Sequence, residues 1–313
     1  MLTSLVALLL TAPPEPSPRD YAAIVSAAGV QFVGYPPSTL DPRNPANNAA
    51  VSTEDVHADL DALRPAFDGL VLYGYHEALT PRIVHAAVER DFRAVLFGIW
   101  DPKSAAEIDG VIALTEQFGD RLQPAIVVGN EGLYFKRYAA ADVEFAAARI
   151  RHRLPDVPLA TSEPFISFRE DQPQAAFVRS FGDFLAPNIH PIFDRPDLGA
   201  AEAATWTRET AATLSRETGL SVFLKETGFP HDGKEGFTAE SQRTFWRTLL
   251  AEGDTVRVDG RVAFLAVGFE AFDLGWKSEA SGLEYERSWG LLSPDRTPHD
   301  AFNWWQQRAK SKR

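Results

Sequence analysis

Residues 94–131 read AVLFGIWDPKSAAEIDGVIALTEQFGDRLQPAIVVGNE, and the fold follows from how this stretch divides. Ala94–Ile99 (AVLFGI) and Gln123–Val128 (QPAIVV) are short apolar runs. Their apolar character is continuous rather than alternating, as suits a parallel strand buried on both faces. Between them Ser104 stands as an N-cap ahead of AAEIDGVIALTEQF, a segment of helical periodicity. The second strand then runs directly into Gly129-Asn130-Glu131, which places a carboxylate at its C-terminal end.

The same alternation extends in both directions. Further strands are expected at Val30–Gly34 (VQFVG), Leu70–Tyr75 (LVLYGY), Val157–Thr161 (VPLAT), Phe184–Ile189 (FLAPNI), Ser221–Lys225 (SVFLK) and Val262–Phe269 (VAFLAVGF). Helices are expected between them. Ser52 precedes an acidic turn and the spaced apolar residues Val56, Leu60 and Leu63, and Thr80-Pro81 opens IVHAAVER. Others begin near Ala140, span Ala200–Thr218, follow the cap Thr238, and run from Pro298 through Trp304 and Trp305. Eight strands alternating with helices predict a (β/α)8 TIM barrel, an α/β fold in a single domain over residues 21–313. A doubly wound sheet would carry a glycine-rich phosphate turn after its first strand, but here Tyr35-Pro36-Pro37-Ser38 follows.

Composition narrows the chemistry. The chain has 313 residues, 45% hydrophobic and 24% charged, which excludes disordered, collagen-like and coiled-coil classes. A formal net charge of −12, with basic clustering only at Lys310, Lys312 and Arg313, disfavours nucleic acid and anionic lipid as partners. Neutral polymers remain. With no cysteine there is no disulfide, thiolate metal site or cysteine nucleophile. None of the seven histidines falls in a metal-ligand spacing, so no metal and no cofactor is expected. Residues 1–12 (MLTSLVALLLTA), followed by a proline-rich stretch, read as a secretory signal or disordered leader over residues 1–20, implying an extracytoplasmic protein; no run suffices for a stable membrane span. Oligomeric state is not legible.

Catalytic side chains of a barrel lie at the C-terminal ends of its strands. That rule selects Glu131 after the fourth strand and Glu226 after the seventh, positions whose side chains converge across the mouth. Paired carboxylates at one site suit glycosidic bond cleavage, where one group donates a proton and the other stays ionised. Aromatic residues near the strand ends suit the C–H faces of sugars, with Trp276 and Tyr75 foremost, alongside Tyr35 and Phe229. His190, at the sixth strand end, is expected to reach a catalytic carboxylate, and Lys277 and Glu286 to pair or to contact sugar hydroxyls.

These motifs resemble glycoside hydrolase family 17, which contains β-1,3-glucanases and β-1,3-glucan glucosyltransferases. The resemblance is carried by Gly129-Asn130-Glu131, by Lys225-Glu226-Thr227-Gly228-Phe229-Pro230, by Asn188-Ile189-His190-Pro191, by Phe269-Glu270-Ala271-Phe272-Asp273 with Trp276-Lys277, and by the segment 286–292. It implies a retaining mechanism with Glu131 as proton donor and general base, Glu226 as nucleophile, and Asn130 on the sugar hydroxyl beside the reacting carbon. The implied substrate is a neutral β-glucan, with either hydrolysis or transfer as outcome; a carbohydrate-binding barrel without turnover is the non-enzymatic alternative. One departure is Leu274, where the family commonly carries an acidic residue.

Overall fold

The computed structural model describes residues 17–251, 255–258 and 261–312. The expected leader therefore lies outside the described residues except for Ser17–Asp20. No helix among the described residues is long and apolar enough to cross a membrane.

Five parallel strands pair in sequence order: β1 (Phe32–Gly34), β2 (Gly69–Leu72), β3 (Ala94–Ile99), β4 (Gln123–Asn130) and β5 (Leu159–Ser162). A second group holds β6 (Val222–Leu224), β7 (Thr255–Val258) and β8 (Arg261–Ala266), with β6 parallel and β7 antiparallel to β8. Two seams close these into a (β/α)8 barrel. At one, Gly34 donates to Gly268 O (3.0 Å) and Gly268 to Phe32 O (2.9 Å), joining β1 to the chain beyond β8. At the other, residues 184–189 occupy the sixth position with bridges to both neighbours, Pro164↔Asn188, Leu185↔Val222 and Asn188↔Glu226.

That sixth segment is not a regular strand, contrary to expectation. Pro187 has no N–H to donate, and Gly182 enters with φ of +90°. The hairpin strand β7 is absent from the sequence reading; it is an addition outside the eightfold pattern. The helices are α1 (Tyr21–Ala27), α2 (Asn47–Ala50), α3 (Thr53–Leu63), α4 (Thr80–Glu89), α5 (Ala105–Phe118), α6 (Ala140–Arg153), α7 (Ala175–Ser180), α8 (Pro191–Asp194), α9 (Ala200–Thr218), α10 (Ala239–Leu249), α11 (Gly275–Ser281) and α12 (Asp300–Lys312). Ser52, Ser104 and Thr238 cap α3, α5 and α10 by accepting from the backbone three residues on. Thr80 instead lies inside α4, where its hydroxyl accepts from His76 N (2.8 Å).

Period-2 alternation divides the apolar side chains into two cores. Phe32, Val71, Leu96, Val127, Phe184 and Phe223 fill the barrel, while Val33, Leu70, Phe97, Ile126 and Leu224 face the helices. Helix α1 stoppers the N-terminal end. The Tyr21 hydroxyl reaches Val95 O (3.1 Å) and Gln123 O (3.0 Å), and its ring packs on Phe32, Phe184 and Phe223. One end of the barrel is thus sealed, leaving the C-terminal end for chemistry. Phe223 touches all three other rings of this layer and is fully buried. Phe223→Ala is expected to cost about 3–5 kcal/mol, read as a lowered urea midpoint at unchanged slope.

Candidate active site

Strand β4 delivers Glu131 through an irregular ending. The β4–β5 register shifts between Val127 and Asn130, Gly129 has φ of +83° and Glu131 itself has φ of +56°. A left-handed backbone at a non-glycine residue costs roughly 1–2 kcal/mol, so the surroundings must hold it. They do. Glu131 N donates to Ser162 O (2.8 Å), and Leu133 N and Tyr134 N donate to the two carboxylate oxygens of buried Glu163 (2.9 and 3.0 Å). Gly132 N donates to the Tyr138 hydroxyl (3.0 Å), and the Arg137 guanidinium donates to Asn130 O. Asn188 Nδ2 then donates to Glu131 Oε1 (2.8 Å) and contacts Asn130 Oδ1 (3.3 Å). Burial, with the charge of Glu226 second, raises the Glu131 pKa above the ordinary glutamate value.

Glu226 follows β6 and is treated oppositely. Its backbone pairs with the sixth segment, Ile189 N donating to Glu226 O (2.9 Å). Its Oε1 takes the Lys225 ammonium and its Oε2 lies 3.3 Å from His190 Nε2. A carboxylate can only accept, so the imidazole proton is assigned to Nε2. Burial by itself would raise this pKa, but the Lys225 charge and the His190 contact outweigh it and hold Glu226 at about 2.

A third carboxylate lies behind the pair. Glu270, 1% exposed, follows the cis peptide Phe269–Glu270 and accepts from Lys277 Nζ (2.5 Å). Burial lifts its pKa to about 7; Lys277 opposes this and the charges of Glu226 and Glu286 add to it. The Lys277 ammonium also sits over the Phe269 ring (4.6 Å). The Tyr73 hydroxyl is buried without a protein partner, and Glu226, Glu270 and Glu131 all raise its pKa further after burial.

Sequence-distant histidines do converge at one place. His231, Asp273 and His299 bring their ligand atoms within 4.8 Å of one another, the one such metal-competent group among the described residues. Their atoms are already paired. Asp273 takes His231 Nε2 (3.0 and 3.1 Å), His299 Nε2 (2.8 Å) and Gly290 N (2.9 Å). The triad thus works as a clamp joining the segments after β6, after β8 and before α12.

The expected site residues divide into two sets. Asn130, Glu131, His190, Glu226 and Lys277 gather around the carboxylates. Trp276 is half-buried within 5.9 Å of the Lys277 ammonium. Glu286 accepts from Trp289 Nε1 (3.4 Å) and is not the partner of Lys277, which pairs with Glu270. Three expectations need correction. Tyr35 is 2% exposed and spends its hydroxyl on Asp59 Oδ2 (3.1 Å), so a ligand cannot reach it. Phe229 is 3% exposed and packs on Phe237 and Phe245. The Tyr75 ring lies over Gly110 of α5, where an added Cβ would come within 2.1 Å of it. Each sits next to a strand end, yet points into the helix layer, because position along the chain does not say which way a loop side chain turns. Exposed aromatic residues beyond the strand ends are Trp100, Tyr134 and Phe135 on the loops after β3 and β4, and Phe193 in α8 after the sixth segment.

Asn188, Lys225 and Tyr73 were not selected from sequence. Asn188 and Lys225 lie inside quoted strand-end motifs, and proximity to Glu131 and Glu226 in the chain order of the barrel was the available signal. Tyr73 stood among the aromatic residues near the strand ends, and that was its signal.

Comparison with known proteins agrees with this fold. Residues 38–290 match the model of the BtgE/BtgC glycoside hydrolase domain. A putative glucan endo-1,3-beta-glucosidase btgC of Aspergillus niger is 25% identical over 280 residues, covering 78% of this chain and 39% of its own length. A glucan 1,3-beta-glucosidase of Schizosaccharomyces pombe is 26% identical over 263 residues, covering 76% of this chain and 78% of its own. The chain thus spans about two fifths of the first relative. Among solved structures, the glycoside hydrolase family 17 beta-1,3-glucanosyltransferase of Rhizomucor miehei has a TM-score of 0.66 at 16% identity, covering 88% of this chain and 97% of its own. CJP38, a beta-1,3-glucanase and allergen of Cryptomeria japonica pollen, has a TM-score of 0.62 at 15% identity, covering 86% and 97%. With the family model matching most of its length, the chain belongs to the BtgE/BtgC glycoside hydrolase domain family.

Proposed function

We propose that this protein is a retaining glycoside hydrolase that acts on β-1,3-glucan through a covalent glycosyl-enzyme. The observation that carries the reading is the split between two carboxylates in one cleft, the Glu131 pKa raised by burial and by the Glu226 charge, and Glu226 kept ionised by Lys225 and His190. Two groups driven apart in this way are an acid and a base or nucleophile. A carboxylate whose pKa is held down by an ammonium and an imidazole is ionised as a nucleophile and departs readily from an ester. Glu131 gives its proton to the departing oxygen while Glu226 bonds to the anomeric carbon. Glu131, now ionised, then takes a proton from the incoming acceptor as the ester is broken. Asn130, beside Glu131 and tied to Asn188, is suited to hold the hydroxyl adjacent to the reacting carbon.

The β-1,3-glucan assignment draws on the family and on relatives described as glucan 1,3-beta-glucosidases. Transfer to a second sugar is a reading with its own support. Tyr134 and Phe135 lie exposed three and four residues beyond the acid and offer faces for a second sugar ring. A polymeric substrate of this kind and the apolar N-terminal run together support an extracytoplasmic location.

Incubation with laminari-oligosaccharides and separation of products by mass reads both outcomes, shorter chains for hydrolysis and longer or branched ones for transfer; unchanged sugar with measurable binding would overturn the enzymatic reading. Glu226→Ala is expected to lower kcat by roughly four orders of magnitude or more. The pH profile follows from the two signs. Activity requires Glu226 ionised, so the acid limb lies near pH 2, and requires Glu131 protonated, so the alkaline limb lies above the ordinary glutamate range. In Glu131→Gln the alkaline limb is expected to vanish for aryl glycosides whose leaving group needs no proton.

A further inference from the structure

We propose that Lys225 is a positioning residue for the two-step reaction: its buried ammonium holds Glu226 as a carboxylate and keeps it a good leaving group, so that the glycosyl-enzyme breaks down rather than accumulates. The inference rests on the nucleophile reading of Glu226. Strand alternation supplies the first support. Val222 and Leu224 face the helices and Phe223 faces the barrel interior, so Lys225 falls on the interior face, one layer above the aromatic stopper. The side chains around it, Tyr73, Leu96, Val127 and Asn130, are apolar or neutral, and none is a second ammonium. Lys225 is 3% exposed there, and a desolvated ammonium costs the fold stability that an apolar residue would not. The packing alone therefore gives no reason for a lysine.

Its contacts give one. The ammonium bonds Glu226 Oε1 and lies over the Tyr73 ring, 4.9 Å from the centroid. The space beside it, lined by Tyr73, Leu96, Gly98, Val127 and Asn130, is about 10 Å³, enough for no more than a single water. A sugar cannot reach the ammonium, so Lys225 acts through Glu226. The other charged or titratable groups facing Glu226 are His190 on Oε2, Glu131, Glu270 with its partner Lys277, and the Tyr73 phenol. His190 in turn donates its backbone N–H to Asp194 (3.2 Å). Lys225 is the one ammonium among these that bonds the Glu226 carboxylate directly.

The electron count shows where this matters. In the first step a Glu226 oxygen bonds to the anomeric carbon, the glycosidic C–O bond breaks, and the departing oxygen takes the proton of Glu131. Negative charge leaves Glu226 and appears on Glu131, so the site remains compensated and Lys225 passes from a direct to a longer-range partner. In the second step the C–O bond to Glu226 breaks, the acceptor oxygen bonds to the carbon, and the acceptor proton returns to Glu131. A waiting ammonium at Oε1 favours this departure because it stabilises the carboxylate being released.

Lys225→Met keeps the length of the side chain and removes the charge. The acid limb of kcat/KM is expected to move up by at least about one pH unit, a tenfold change in proton affinity. At neutral pH kcat is expected to fall about tenfold or more with KM falling in parallel, and a burst of phenol from an aryl laminaribioside is expected to report the accumulating intermediate. A merely structural lysine would lower the folded fraction and leave KM, the burst and the acid limb alone; that result overturns the proposal. Lys225→Gln provides the same test if the methionine variant does not fold, and Lys225→Arg is expected to keep the limb in place. A carboxyl ¹³C titration, with Glu226→Gln identifying the resonance, needs no turnover. A Glu226 midpoint unchanged by Lys225→Met overturns the proposal, whereas a shifted midpoint in a protein inactive on glucan would overturn only the choice of substrate.

Discussion

The structure depends on one ion pair held in a dry place, the Glu226 carboxylate between the Lys225 ammonium and the His190 imidazole. Removing water from a carboxylate ordinarily favours its neutral form, and nearby Glu131, Glu163 and Glu270 all show that outcome. Glu226 escapes it because the full charge of the Lys225 ammonium meets one oxygen and His190 the other, whereas Glu163 is met only by neutral backbone N–H groups. One negative charge is thereby fixed at the centre of the site, and that charge in turn helps to raise the Glu131 pKa. The acid and the nucleophile are two consequences of a single electrostatic arrangement.

That arrangement needs a backbone that departs from regularity at chosen points. Glu131 sits in a left-handed conformation that β4 could not provide by continuing, and the cost is met by Ser162, Glu163, Asn188 and Tyr138 bonding around it. The sixth barrel segment has no N–H to donate at Pro187, whose carbonyl still accepts from Lys225 N (3.2 Å), yet it presents Asn188 to Glu131 and His190 to Glu226 within three residues. Regular strands deliver side chains alternately inward and outward; here neighbouring residues must serve one cleft. The clamp of His231, Asp273 and His299 then ties the segments after β6 and β8 to the start of α12, so the irregular rim is braced from outside.

The regular part of the fold was legible because its causes are local. α9 appears at Ala200–Thr218 and β3 at Ala94–Ile99, as read, since periodicity and apolar runs are properties of short stretches. Capping by Ser52, Ser104 and Thr238 is likewise a contact over three residues. The aromatic residues were read less well. Tyr35, Tyr75 and Phe229 stand at strand ends like Trp276, but whether such a ring turns toward the cleft or the helices depends on partners far along the chain, Asp59, Gly110 and Phe245.

By itself the amino-acid sequence determined the alternation of strand and helix, the closed barrel that eight such units favour, and the two glutamates its strand ends would offer. It could do so because burial pattern and chain order are enough to number the strands and find their ends. Only the tertiary structure decided which glutamate has its pKa raised and which lowered, that Lys225 faces inward to Glu226, that Lys277 chooses Glu270 over Glu286, and that two separated histidines meet at Asp273. These are matters of distance and of lost water between groups from different strands, and neither quantity exists until the barrel has closed.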